Sequence, residues 1–296
     1  MKIKKAVLAV IVFLGSLSFG FGQKAFEILN NDDTVSQGDV LVVKMNDQLS
    51  SKRFLIYAFD KFYRANKDNM IFIGIDFEEK VRVYPIAVVD SLNSKEVTGF
   101  LFSFFRVIER KFPQQPAPFK IRKPSKKESQ KRAIETATIL NAFATEWPVE
   151  LSNNWENWEQ SFSMPLKQIQ PTGIFGTKRL YKKTVVGRHR GVDLKAKEGA
   201  SVYSIQDGRV VLARRFSLEG NMVIINHGFR TYSLYMHLSK FNVREGQKIE
   251  SGQLIGLSGK TGRVSGPHLH FAVKINGANV NPLNFIDTVH WALPLQ

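Results

Sequence analysis

Short apolar runs separated by turn residues fill most of this chain, and their spacing predicts strands far more often than helices. Between Ala25 and Phe112 the runs are Val40 to Val43, Phe54 to Phe59, Met70 to Ile75, Val81 to Val89 and Phe100 to Ile108. Val, Ile, Phe and Tyr dominate them, and Gly38, Asn66, Asn69 and Asn93 fall between them, as in a small antiparallel sandwich. A second series comprises Val192 to Ala196, Ser201 to Ile205, Arg209 to Ala213, Met222 to Ile225, Tyr232 to His237, Leu254 to Leu257 and His268 to Ile275. Gly199, Gly208, Gly220, Gly228, Gly246, Gly252, Gly259 and Gly262 punctuate it, which predicts short antiparallel strands closing into a barrel-like sandwich.

One stretch has a helical period instead. Ser125 and Glu128 have the spacing of a capping box behind Pro124, so a helix is expected to start there and to end near Trp147, before Pro148. Ile134, Ala137, Leu140, Phe143 or Ala144, and Trp147 are its expected docking face, turned towards the C-terminal domain. Ahead of it, Phe112-Pro113-Gln114-Gln115-Pro116-Ala117-Pro118 reads as an extended, semi-rigid connector. The expected fold class is therefore mainly β: an N-terminal β-sandwich-like domain at 23–112, a proline-rich basic linker with an amphipathic helix at 113–163, a C-terminal antiparallel barrel-like sandwich at 164–288, and a tail at 289–296.

The first 22 residues stand apart. Lys2, Lys4 and Lys5 precede an apolar run from Ala6 to Leu14 and a small-residue stretch through Gly22, the layout of a signal peptide; the run is short of the roughly 20 residues a membrane span needs. Export to the periplasm or the cell exterior is the expectation, with cleavage near Gly22. The absence of cysteine excludes disulfides and a lipid-modified cysteine. Formal net charge is +16, and losing the three leader lysines leaves +13, an excess that favours anionic polymers or a membrane surface as partners. Lys120, Arg122, Lys123, Lys126, Lys127, Lys131 and Arg132 concentrate that charge in the linker. A nucleic-acid partner conflicts with the leader.

Candidate chemistry lies in the second series. His189-Arg190-Gly191-Val192-Asp193, Tyr235-Met236-His237 and His268-Leu269-His270 hold four of the six histidines beside one aspartate. Residues two apart on a strand face the same way, so His268 and His270 project together. A catalytic zinc site takes three ligands from His, Asp, Glu or Cys and leaves one position open. His189, Asp193 and one histidine of the pair supply that set. Imidazoles beside such a site can move protons near neutral pH, with His237 and His268 as candidates. His227, at a strand end before Gly228, is expected to make a structural hydrogen bond, and His290 has no expected role. Tyr181, Tyr232 and Tyr235 are possible oxyanion donors, Tyr235 being better read as a packing residue. Trp155 and Trp158 read as core packing.

From Phe175 to Phe285 these motifs resemble the lysostaphin-type, or LytM-type, peptidoglycan zinc metallopeptidases. Phe175-Gly176, the His-x-x-x-Asp, Asn226-His227-Gly228, Tyr235 to Leu238, Gly262 to His270 and Asn281-Pro282 all take part. The resemblance implies one zinc ion per chain, held by His189, Asp193 and His270, with His237 and His268 as the catalytic pair. It further implies hydrolysis of peptide bonds in peptidoglycan stems or crossbridges. A wall-binding regulator that keeps the fold and activates another hydrolase is the alternative. The N-terminal region has weaker likeness to the β-domains that precede such peptidases, at Gln37-Gly38-Asp39 and Ile73-Gly74-Ile75-Asp76.

Overall fold

The computed structural model describes residues 24–47, 49, 54–90, 99–117, 123–144, 158 and 162–293. The leader, Asn93, Lys120, Arg122, Trp147 and Trp155 lie outside the described residues. The chain divides into two compact units, with the boundary in the chain between Glu109 and Arg110.

The first unit contains β1 (Phe26–Ile28), β2 (Thr34–Ser36), β3 (Val40–Met45), β4 (Phe54–Ala58), β5 (Lys61–Tyr63), β6 (Met70–Gly74), β7 (Arg82–Asp90) and β8 (Gly99–Ile108). They form two sheets, β1-β3-β6 and β2-β8-β7-β4-β5. Alternate residues of both, among them Leu41, Val43, Ile56, Ile73, Ile86, Phe105 and Val107, enter one buried cluster, which makes this a two-sheet sandwich. Its single parallel pair among the described strands is β2 on β8.

The second unit contains β9 (Gln114–Pro116), α1 (Lys126–Ala144), β10 (Pro171–Gly173), β11 (Lys178–Tyr181), β12 (Thr184–Arg188), β13 (Val192–Lys195), β14 (Ser201–Tyr203), β15 (Gly208–Phe216), β16 (Gly220–Asn226) and β17 (Thr231–Leu238). It continues with β18 (Lys240–Phe241), β19 (Lys248–Ile249), β20 (Leu254–Leu257), β21 (His268–Ile275), β22 (Ala278–Val280) and α2 (Pro282–Ala292). The main sheet has the order β10-β13-β21-β17-β16-β15-β19, with β22 paired to β21. Two small sheets, β14-β20-β18 and β12-β11-β9, accompany it. The described chain is mainly β, as the run pattern predicts.

Strand alternation splits the main sheet into two faces. Val223, Ile225, Tyr235, Phe271 and Val273 are fully buried on one. Ile224, Leu234 and Ala272 lie on the other and pack with Ala142 of α1. Cross-strand register ties these faces together, Tyr235 standing opposite Phe271 and Met236 opposite His270.

Three elements differ from their sequence expectation. The proline-rich connector is not a free spacer: Gln114–Pro116 pairs in parallel with Lys178–Leu180, because an extended proline-rich backbone is already close to strand geometry. The helix forms its capping box, the Ser125 amide donating to Glu128 Oε2 at 2.8 Å and the Glu128 amide to Ser125 Oγ at 3.2 Å. Phe143 of the expected face does pack, but its companions are Ile139 and Ala142, while Ile134 and Leu140 are 68% and 60% exposed. Ala142 is the buried residue of the helix among those described, and its small side chain fits a tightly packed contact with the sheet. Finally, the expected tail belongs to α2, which runs to Ala292 and buries Val289. Within it His290 Nε2 donates to the Phe162 carbonyl at 2.6 Å, so this histidine has a structural contact.

Trp158 is buried, donates its indole N–H to the His227 carbonyl at 2.9 Å and sets its ring edge-on to Phe162. It is a core residue. No helix among the described residues is long and apolar enough to cross a membrane.

Candidate metal centre

β13 and β21 bring the first two ligand candidates together. Asp193 stands directly opposite His270 in the antiparallel register, so their side chains leave the same sheet face as cross-strand neighbours. Asp193 Oδ1 lies 2.8 Å from His270 Nδ1. His189 comes from the turn that follows β12, and its Nε2 lies 3.0 Å from Asp193 Oδ1 and 3.1 Å from His270 Nδ1. The three donors all lie within 4.8 Å of one another. Two imidazole nitrogens facing each other at that distance gain little from a hydrogen bond and are well placed to share a cation.

The surrounding backbone fixes these rings. His189 Nδ1 lies 2.9 Å from the Ile174 carbonyl, which can only accept, so that nitrogen carries the hydrogen and Nε2 of the neutral ring presents a lone pair. Two glycines leave the room. A Cβ on Gly191 would sit 2.4 Å from the Phe271 carbonyl and 2.8 Å from His270 Nε2, and one on Gly173 would sit 2.4 Å from Asp193 Oδ2. The donor set and its cradle fit a bound metal ion.

Electrostatics favour the ligand forms. Burial raises the Asp193 pKa, but the His189 and His270 side chains beside it outweigh that and hold the carboxyl well below the usual carboxylate range. Burial is also the main cause that lowers His270, with the neighbouring His189 adding to it. A carboxylate and a neutral imidazole are what a cation requires.

His237 and His268 border the trio. The ring centroids of His237 lie 5.0 Å from those of His268 and 6.0 Å from those of His270. His268 Nε2 is 3.6 Å from Asp193 Oδ1. Each ring is held by a carbonyl at Nδ1, Thr261 O at 2.9 Å for His237 and Gly266 O at 2.9 Å for His268. Both therefore offer Nε2 for proton exchange. Burial, reinforced by the neighbouring His270, lowers the His237 pKa to about 4, which keeps this ring neutral and able to accept a proton.

The remaining candidates are elsewhere. His227 is fully buried, Nδ1 donating to the Asp207 carbonyl at 2.7 Å and Nε2 accepting from Ser233 Oγ at 2.7 Å, a structural histidine as its strand-end position suggests. Tyr235 is fully buried, and its hydroxyl accepts the Ile205 amide at 3.0 Å. Tyr232 donates to the Phe143 carbonyl at 3.2 Å, in the seat of α1. Tyr181 lies in the β11–β12 hairpin and is exposed. Thr261, which sets the tautomer of His237, was not singled out by sequence reasoning; only its position beside Gly262 hints at a tight turn.

Residues 187–282 match the family model described as Peptidase family M23. The peptidoglycan DD-endopeptidase ShyA of Vibrio cholerae is 46% identical over 110 residues, 37% of this chain and 26% of that protein. The DD-carboxypeptidase/endopeptidase Mpg of Neisseria meningitidis is 42% identical over 96 residues, 32% of this chain and 22% of its own length. The chain thus spans about a quarter of the length of these curated relatives. A solved peptidase M23 structure from Pseudomonas aeruginosa shares the fold, with a TM-score of 0.60 and 22% identity over 85% of this chain and 94% of that one. Its likeness extends beyond the family-matched segment and concerns the fold alone. Residues 187–282, which contain all five residues of the centre, therefore carry a domain of Peptidase family M23.

Proposed function

We propose that this protein is an exported zinc metalloendopeptidase that hydrolyses peptide bonds in the stems or crossbridges of peptidoglycan. The observation that carries the reading is the convergence of His189, Asp193 and His270 donors within 4.8 Å, beside two further histidines whose Nδ1 atoms are held by carbonyls. The names of the relatives supply the substrate class. An intact ligand set with both flanking histidines favours an enzyme over a silent regulator.

His189 Nε2, Asp193 Oδ1 and His270 Nδ1 would hold the zinc ion. When bound, zinc supplies a Lewis acid that polarises the scissile carbonyl and brings the pKa of water down to about 7. The chain's own residues do the rest. Asp193, ionised, offsets part of the cation's charge, and Ile174 keeps His189 turned inward. His237, neutral and anchored at Nδ1, takes up or returns a proton at Nε2, and His268 is likewise anchored at Nδ1. Either can also donate to the oxyanion of a tetrahedral species once protonated. Export and the signal peptide remain part of the proposal, as do anionic wall polymers or a membrane surface as partners of the basic linker.

The test is incubation of the purified protein with isolated peptidoglycan, with added zinc or with chelator, read by mass spectrometry against His268→Ala. New peptide ends that need zinc and are missing from the variant are expected. A folded, zinc-loaded protein that produces none would overturn the enzymatic reading and return the regulator to the front.

A further inference from the structure

The reacting centre is gripped by a turn that is itself tied to a helix outside the family-matched segment. The turn Ser217–Glu219 joins β15 to β16, which opens at Gly220. Its Glu219 carbonyl accepts the His237 amide at 2.9 Å, and its Leu218 carbonyl accepts the Arg263 amide at 2.9 Å. Gly220, at φ +66, lies so close to Thr261 that a Cβ there would meet the Thr261 carbonyl at 2.3 Å. The next residue, Asn221, donates its amide to Thr261 Oγ1 at 2.9 Å. That same Thr261 carbonyl holds His237 Nδ1. The turn thus fixes His237 twice, by backbone directly and by ring through Thr261.

What fixes the turn is Glu135 on α1. Its Oε1 accepts both the Ser217 amide at 3.1 Å and the Ser217 hydroxyl at 2.8 Å. The side chain is 15% exposed, although it sits on a largely solvent-facing helix. Eight residues on, α1 seats Phe143 edge-on against Tyr232, at 5.1 Å, and Ala142 in the cluster with Leu234 and Ala272. The helix therefore lies on the sheet face that also carries His268 and His270, fixed at one point by packing and at another by a carboxylate.

We propose that Glu135 is a positioning residue for His237, acting through Ser217 and the turn. This rests on the peptidase reading only for its kinetic consequence. A hairpin tip released from its anchor samples more conformations, and a proton-transfer group displaced by even 1 Å loses up to about a hundredfold in rate. Substrate binding and metal ligation involve other atoms, so turnover should suffer alone.

The experiment compares wild type, Glu135→Ala, Glu135→Gln, Ser217→Ala and the Glu135→Ala/Ser217→Ala double variant as full-length protein. Kinetics on purified crosslinked muropeptides, bound zinc and thermal midpoint are measured. Glu135→Ala is expected to lower kcat about tenfold, with KM within about twofold and zinc content unchanged. Glu135→Gln keeps an acceptor oxygen and should restore kcat. Ser217→Ala should lose less, and the double variant no more than Glu135→Ala, because the two act through one contact. A second readout is independent of turnover: the 15N-coupled Nδ1–H signal of His237, assigned by its absence in His237→Gln, should broaden or vanish in Glu135→Ala. An unchanged kcat and signal, additive losses, or a loss explained by zinc release or unfolding would each overturn the proposal. Wild type that cleaves nothing, with the signal still sensitive to Glu135, would instead defeat the peptidase reading and leave the positioning role standing.

Discussion

His237 and His268 face each other across neighbouring strands, ring centroids 5.0 Å apart, only because β17 carries a bulge at His237. In the pairing with β16, Asn221 stands opposite Leu238 and Val223 opposite Tyr235, so Met236 and His237 together oppose Met222. His237 takes φ +64, a left-handed conformation that costs a non-glycine residue roughly 1 kcal/mol. Strict alternation would place its ring with Tyr235 in the buried layer. The bulge instead aims it at His268 and His270.

Division of labour among the histidines gives the first prediction. His189→Ala, Asp193→Ala and His270→Ala should each lose zinc on dialysis, whereas His237→Ala and His268→Ala should keep it and lose at least about a hundredfold in turnover. Elemental analysis paired with muropeptide kinetics separates the two classes. Full zinc retention by the first three would sink the ligand assignment.

Gly191 makes a second test. Its missing Cβ leaves space filled by the Phe271 carbonyl and His270 Nε2. Gly191→Ala must push β21 or tilt the His270 ring, and is expected to cost about 1–3 kcal/mol in stability and to weaken zinc binding. Thermal melts and zinc titration against wild type check it, and a variant with unaltered zinc affinity would show that the close approach is incidental.

Stability against pH should carry the mark of His227. Burial lowers its pKa from 6.5 to about 4, and its Nε2 is already occupied as an acceptor for Ser233. Between those values the unfolded chain binds a proton that the folded chain refuses, so stability is full above pH 6.5 and falls as the pH drops towards 4. The whole effect is about 3 kcal/mol. Urea midpoints of wild type and His227→Gln across this range should converge at the acid end, the glutamine variant having the shallower slope. Parallel slopes would place the acid sensitivity elsewhere.

Tyr235 should prove structural. Removing its hydroxyl in Tyr235→Phe strands the Ile205 amide in a buried setting, for a loss of about 1–3 kcal/mol, while kcat stays within about twofold. A collapse of kcat in a folded variant would restore Tyr235 as an oxyanion donor.

Much of this centre was readable along the chain. His268 and His270 share a face because a strand repeats every two residues, and the motif spacings single out His189 and Asp193. Helix α1 shows where such reading fails. Its start is legible, since Ser125 and Glu128 form their bonds locally. Its docking stripe is legible only in part: Phe143 of the expected face makes the contact, yet Ile134 and Leu140 are exposed and Ile139 and Ala142 take their place. Side-chain hydrophobicity ranks stripes, but the shape of the sheet selects among them. The strand pairing of Gln114–Pro116 escapes sequence reading for a related reason, its partner lying some 60 residues away along the chain.

The sequence by itself determined the strand-rich class, the helix start and a short list of ligand candidates, His189, Asp193 and one histidine of the His268/His270 pair, because each rests on short-range periodicity or on the chemistry of a residue type; the choice of His270 within that pair came from the family resemblance. Only the tertiary structure decided that Asp193 meets His270 across a register, that a bulge turns His237 towards them, and that Glu135 reaches Ser217. Those relations join residues distant in the chain, and their geometry follows from backbone pairing and close packing, which no local pattern encodes.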